Sequence, residues 1–318
     1  MKNVASPCTA LVCAAFALMT QMSAHADTFG GGTTNEFTID FVNIGNTGNA
    51  ADTTGYGAVP YEYRASTYEI TQNAITKATA SGMANVTAGP WTGNQPAANL
   101  NWYEAAAFVN FLNTSSGKTA AYDLSWSGTA WSMELWSSDQ AWTAGGTNLY
   151  RNKDAYYFLP SENEWYKAAY YKGGGTNAGY WLYPTASSSV LTSVTSGTSA
   201  GTAVYRNNNP DSAPAIVNSA GGLSPYSTMG QGGNVWEWNE SALDGTNSSS
   251  SEFRVFRGGN WGSAAGNLRP SSRESDDPLQ QGVYLGFRVA SVPEPSTYAL
   301  LLMTGAGWLL WKRRKASL

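Results

Sequence analysis

Gly233-Asn234-Val235-Trp236-Glu237-Trp238 is the most informative stretch of this 318-residue chain. Trp236 and Trp238 alternate with Glu237, a period that suits a core strand as well as a loop presenting aromatics. Downstream lie Arg257-Gly258-Gly259-Asn260-Trp261, then Leu268-Arg269, Arg273 and Gly286-Phe287-Arg288. Upstream, in order, come Tyr68-Glu69-Ile70-Thr71, Asn101-Trp102-Tyr103-Glu104-Ala105-Ala106 and Leu159-Pro160-Ser161-Glu162-Asn163-Glu164-Trp165. No tandem repeat links these blocks.

Residues 37–44 and 61–70 alternate apolar and polar positions and read as strands. Asn101 with Glu104, and Ser161 with Glu164, have capping-box spacing, and each is followed by an apolar stripe at helical period. Two helices are therefore expected, over 102–113 and from Ser161 onward. Trp126, Trp131, Trp136 and Trp142 recur at five or six residues in Ser/Gly-rich sequence. That period matches neither helix nor strand and predicts an irregular insertion packing its aromatics on the domain. A sugar-stacking platform is the sharper alternative. Residues 185–224 are Ser/Thr/Gly/Asn-rich and read as irregular.

Residues 1–26 carry Lys2, an apolar stretch and Ala24-His25-Ala26 before Asp27, the pattern of a cleaved secretory signal. Its removal takes Cys8, Cys13 and His25, the only cysteines and histidine of the chain. Thiol and imidazole chemistry, a Ser-His-Asp triad and disulfides are then excluded from the exported part. Between residues 27 and 291, 13 Lys and Arg face 21 Asp and Glu, a net charge near −8. No nucleic-acid partner is expected, since phosphate binding needs a basic face.

At the other end Pro293-Glu294-Pro295 precedes an apolar run over 298–311 and the basic residues 312–315. Fourteen helical residues span about 21 Å, short of the ~30 Å hydrocarbon core. The run is thus a marginal transmembrane helix, and the basic cluster would hold its end on the cytoplasmic side. This three-part order resembles the PEP-CTERM sorting signal. The resemblance implies an exosortase-type enzyme as partner and delivery to the cell surface or extracellular matrix, with a transient or permanent membrane anchor.

The blocks from about 37 to 290 resemble the formylglycine-generating enzyme, or sulfatase-modifying factor, superfamily. The resemblance implies an α+β fold related to C-type lectins: one loop-rich domain over 27–291 with few helices, followed by a sorting segment over 292–318. The superfamily's two copper-binding cysteines would fall at Ser263 and Leu268, neither of which supplies a thiolate. Relatives that use iron hold it with histidines, absent from 27–291. No copper or iron is therefore expected. The resemblance also implies a structural calcium at Glu237 and the carbonyls of Gly233 and Val235. Gly230 stands where the superfamily usually has Asn or Asp, leaving one oxygen ligand short.

Other chemistry finds weaker footing. Ser115-Ser116-Gly117-Lys118 has S-x-x-K spacing without its companion motifs. Glu162 and Glu164 suit a helix first turn, and Asp276-Asp277 a turn, better than paired acid and base. Arg257, Arg269, Arg273 and Arg288 are expected mainly to bridge loops, with an anion-recognition cleft as the functional alternative. The resulting expectation is a non-catalytic protein binding a carbohydrate such as an extracellular polysaccharide, or an envelope protein, with ligand contacts at Trp236, Trp261, Arg269 and Arg273. An enzyme of the same superfamily with cysteine-independent chemistry is the alternative.

Overall fold

The computed structural model of the chain describes residues 25–87, 89–206 and 213–293. Most of the secretory signal, and the apolar and basic segments of the C-terminal tail, lie outside the described residues. Among the described residues, no helix is long and apolar enough to cross a membrane.

Strands β1 (His25–Phe29), β2 (Phe37–Ile44) and β3 (Tyr63–Ser66) lead to helix α1 (Gln72–Ala80) and then α2 (Trp102–Ser115). Short strands β4 (Asp123–Trp126), β5 (Trp131–Glu134), β6 (Ala141–Trp142), β7 (Asn148–Asn152) and β8 (Tyr157–Phe158) precede α3 (Glu162–Tyr170). After the two-residue strands β9 (Thr192–Ser193) and β10 (Thr202–Ala203) come β11 (Trp236–Ala242), β12 (Arg254–Arg257) and β13 (Glu274–Asp276). Strands β14 (Leu285–Phe287) and β15 (Ala290–Ser291) close the domain.

Two sheets organise the whole: β1-β2-β3-β15-β8, and β13-β12-β11-β14. The first joins both ends of the domain, because β15 pairs antiparallel with β3 and with β8. Signal cleavage after Ala26 would fall inside β1. It would leave Asp27 as the first residue, its carboxylate held by Arg64 (2.6 Å) and Tyr157 (2.8 Å). Helix α2 lies against the core with Trp102, Ala105, Ala106, Val109 and Leu112 fully buried.

Both capping boxes form: the Asn101 and Ser161 side chains accept from the amides of Glu104 and Glu164, the third residue of each helix, while the Glu104 and Glu164 carboxylates reach back to the cap amides. Three expectations need correction. Residues 61–70 form a strand only over Tyr63–Ser66, because the Ile70 amide turns aside to Phe287 O. Helix α1 was not expected; Thr71 caps it and Ala74, Ile75 and Ala78 bury its inner face. The tryptophan-rich insertion is two hairpins, β4-β5 and β6-β7, rather than irregular chain. Trp126 sits opposite Trp131 across a four-residue loop, which is how a period of five arises in strands. Trp131, Trp136 and Trp142 donate their indole N–H groups to backbone carbonyls of Asn85, Ala121 and Ala144, leaving Trp126 the most exposed.

Candidate functional site

The Gly-Asn-Val-Trp-Glu-Trp segment begins as a tight turn. Gly233 has φ +88°, and a Cβ there would lie 2.1 Å from Val204 O, so only glycine fits. Asn234 also takes a left-handed φ of +58°. Its side chain accepts from Ala215 N (2.8 Å) and donates to Glu69 Oε1 (3.0 Å), pinning the turn to two distant loops. Then β11 starts. Trp236 and Trp238 both pack edge-on against Phe256, and Glu237 points the other way.

Glu237 is wholly buried and saturated. Its Oε2 accepts from Arg288 Nε (2.6 Å) and Trp165 Nε1 (2.6 Å), and its Oε1 from Arg288 Nη2 (2.6 Å). Such a carboxylate does not fit the calcium role the resemblance implies, since a cation would have to displace the guanidinium. Gly230 deepens the misfit. A Cβ at 230 would come within 2.4 Å of Glu69 Oε2, so the space of the missing Asn or Asp belongs to Glu69. Among the described residues no group of three or more His, Cys, Asp or Glu is placed to hold a metal. Adding calcium or a chelator is expected to move the melting temperature by less than about 2 °C. A calcium-dependent rise of several degrees in calorimetry would show that Arg288 yields to the ion.

Glu69 is the polar residue the sequence left without a role. It is 2% exposed, and its Oε2 has no hydrogen-bond partner. Burial, then the neighbouring Glu237 charge, push its carboxyl up to about 8, with Arg288 and Asn234 offsetting part of the rise. A carboxylate between Tyr68 and Ile70, where alternation points an apolar residue inward, was the available signal.

Ser263 and Leu268, the positions corresponding to the superfamily's cysteines, do come together. A Cβ on Gly259 would lie 3.3 Å from Ser263 Cβ and 3.0 Å from Leu268 Cδ1. The Ser263 hydroxyl accepts from Asn260 N (2.9 Å) and lies 3.1 Å from Asn260 Oδ1 as a turn clasp. Leu268 is buried among Tyr183, Leu191, Ala203 and Tyr205.

The expected contact residues divide. Trp236 and Trp261 are 7% and 8% exposed, so both are core rather than ligand surface. Trp261 packs edge-on against Trp91 at 5.4 Å, beside Val204, Met229 and Val235. Arg273 is committed to Glu162 through Nε (2.8 Å) and Nη2 (3.0 Å), which takes it from the ligand list as well. Arg257 shares the same Glu162 carboxylate and donates to Pro270 O and Ser272 O. Only Arg269 is exposed, its Nε donating to the Tyr183 hydroxyl at 3.1 Å.

The fold is similar to that of Treponema denticola variable protein 1, with a TM-score of 0.54 and 23% identity over 84% of this chain and 99% of that one. It is also similar to CarF, with a TM-score of 0.56 and 18% identity over 80% of this chain and 99% of that chain. Hercynine oxygenase of Mycolicibacterium smegmatis is 35% identical over 88 residues, 22% of this chain and 20% of that protein. The match thus spans about a fifth of that relative's length. Residues 291–315 match the PEP-CTERM protein-sorting motif, a signal for export and C-terminal processing. Residues 25–292 match the sulfatase-modifying factor enzyme 1-like domain, and over that length the chain belongs to this family.

Proposed function

We propose that this domain is a non-catalytic ligand-binding module that an exosortase-type enzyme delivers to the cell surface or extracellular matrix. The carrying observation is the pair Ser263 and Leu268: a hydroxyl spent on a turn and an aliphatic core residue stand where the superfamily places its reactive thiols. Glu237 is likewise committed to Arg288 rather than open to a ligand. What such a scaffold retains is a rigid interior carrying long loops, the arrangement on which binding surfaces are built.

The second reading, an enzyme, draws on the partial match to a protein named hercynine oxygenase. It would need redox chemistry without histidine or cysteine between residues 27 and 291. The two readings separate in one assay. The purified chain, loaded in turn with copper and with iron, is incubated aerobically with a cysteine-containing sulfatase-motif peptide and with a thiol plus a histidine derivative. No oxidised product above the metal-only blank is expected. Turnover that follows protein concentration would overturn the binding-module reading.

A further inference from the structure

A cleft of about 420 Å³ lies between β2 and α1, away from the Ser263–Leu268 region. Thr38 and Asp40 alternate outward along β2 and form one wall. Asn73 and Lys77, one turn apart on α1, form the other. Tyr68 is partly buried between them, and Asn94 and Asn218 close one end. Those two loops are tied by the Val217 amide, which donates to Asn94 O at 2.9 Å.

Five polar side chains of this cleft are unspent. Within the described residues the side chains of Asp40, Tyr68, Asn73, Asn94 and Asn218 make no hydrogen bond to protein. Nearly every other asparagine singled out above is consumed in a turn or cap, as Asn101, Asn234 and Asn260 are. Carboxamides and a carboxylate are planar two-point groups, suited to adjacent hydroxyls, and each offers a donor, an acceptor or both. The Tyr68 ring adds a flat apolar surface with a polar tip.

Charge narrows the ligand. Glu36 and Asp40 line the cleft against one cation, Lys77, whose ammonium already donates to Glu36 O at 2.6 Å. Burial, then the nearby Asp40, push the Tyr68 hydroxyl above its ordinary value, so it stays protonated and able to donate. An acidic ligand would meet uncompensated negative charge here and across a domain of net charge near −8. The volume falls within the roughly 300–1,000 Å³ of small-ligand sites. We infer that this cleft binds a neutral saccharide, its hydroxyls bracketed by Asp40 and the three asparagines with Tyr68 beneath the ring. This rests on the binding-module reading and gives it a place.

The test uses the purified full chain on an array of neutral hexose-terminated oligosaccharides beside sialylated and uronate-containing ones. The strongest neutral hit is then titrated calorimetrically. Neutral glycans are expected to bind and acidic ones to fail. Asp40→Ala and Asn218→Ala, both at exposed positions, should each weaken binding roughly tenfold, and Trp126→Ala should leave it unchanged. Silence across all neutral glycans would overturn the inference while leaving the module reading to the oxidation assay. Neutral-glycan binding that survives both cleft variants but is lost in Trp126→Ala would overturn the cleft assignment and move the ligand to the β4-β5 hairpin. Preference for acidic glycans would overturn the charge argument and the inference with it.

Discussion

Replacing Arg151 with methionine is expected to lower the unfolding free energy by about 5 kcal/mol, at least a third of the ~5–15 kcal/mol that holds a domain together. Arg151 bridges two carboxylates that are both fully buried. It donates to Glu240 through Nε (2.9 Å) and Nη2 (2.7 Å), and to Glu164 through Nη1 (3.0 Å) and Nη2 (2.9 Å). Its guanidinium also lies 3.7 Å from the centre of the Phe158 ring, where methionine could keep the apolar contact. Removing one partner of a buried ion pair costs roughly 3–5 kcal/mol, and here two anions lose the same partner. Burial raises the Glu164 carboxyl, yet Arg151 outweighs it and holds the group below its ordinary value. Glu240 is raised by burial in spite of Arg151. Without the arginine both would climb and take up protons, which caps the loss. The measurement is urea denaturation of wild type and variant. Should Arg151→Met not accumulate, the triple variant with Glu164→Gln and Glu240→Gln removes the orphaned charges and should restore a folded protein. A loss under about 1 kcal/mol for the single change would mean that water reaches these carboxylates.

The same chemistry explains how a loop-rich domain without cysteine coheres. Most of its described residues lie outside helices and strands, so backbone carbonyls need partners that no ladder provides. Buried arginines supply them. Arg288 donates to Ser66 O (2.9 Å) and Met229 O (2.9 Å) beyond its pair with Glu237, and Arg254 to Ser250 O (3.0 Å). Arg288 thereby joins segments far apart in sequence, much as a disulfide would, with hydrogen bonds in place of a covalent link, while Arg254 fastens its own loop. The same division of labour removes Arg257, Arg273 and Arg288 from any anion-binding cleft.

This division also sets what could be read from the chain. The caps of α2 and α3 were legible because Asn101 with Glu104, and Ser161 with Glu164, are local patterns whose chemistry is complete within four residues. Helix α1 escaped because Thr71 caps it without a reciprocal carboxylate, and Ile75, Thr76 and Thr79 are weak helix formers. The hairpins escaped because Trp126 and Trp131 meet only once their strands fold back. Partners such as Glu162 with Arg273, or Asn234 with Glu69, are separated by more than a hundred residues, and no local period encodes them. Trp236 and Trp261 read equally as surface or core from their spacing. Phe256 and Trp91, supplied by distant strands and loops, decide for core.

Glu69 should make the protein lose stability as pH rises, and Glu69→Gln should abolish that loss. In the unfolded chain the carboxyl ionises near its ordinary 4.5, whereas in the folded protein it holds its proton to about 8. Between those values the folded state carries a proton that the unfolded state has released, so stability falls steadily across the window and levels off beyond it. A displacement of this size corresponds to as much as about 4 kcal/mol between pH 4.5 and pH 8. Glutamine keeps the side-chain shape and the acceptor for Asn234 Nδ2 but has no proton to lose. The stability of the variant relative to wild type should therefore rise by several kcal/mol from pH 5 to pH 9. Taking the difference at each pH cancels Glu240, Glu164 and every other group common to both proteins. Two parallel stability curves would show that Glu69 ionises normally in the fold. Its Oε2, which lacks a protein partner, would then have to be solvated by internal water, and the Asn234 turn would be holding a charge rather than a neutral acid.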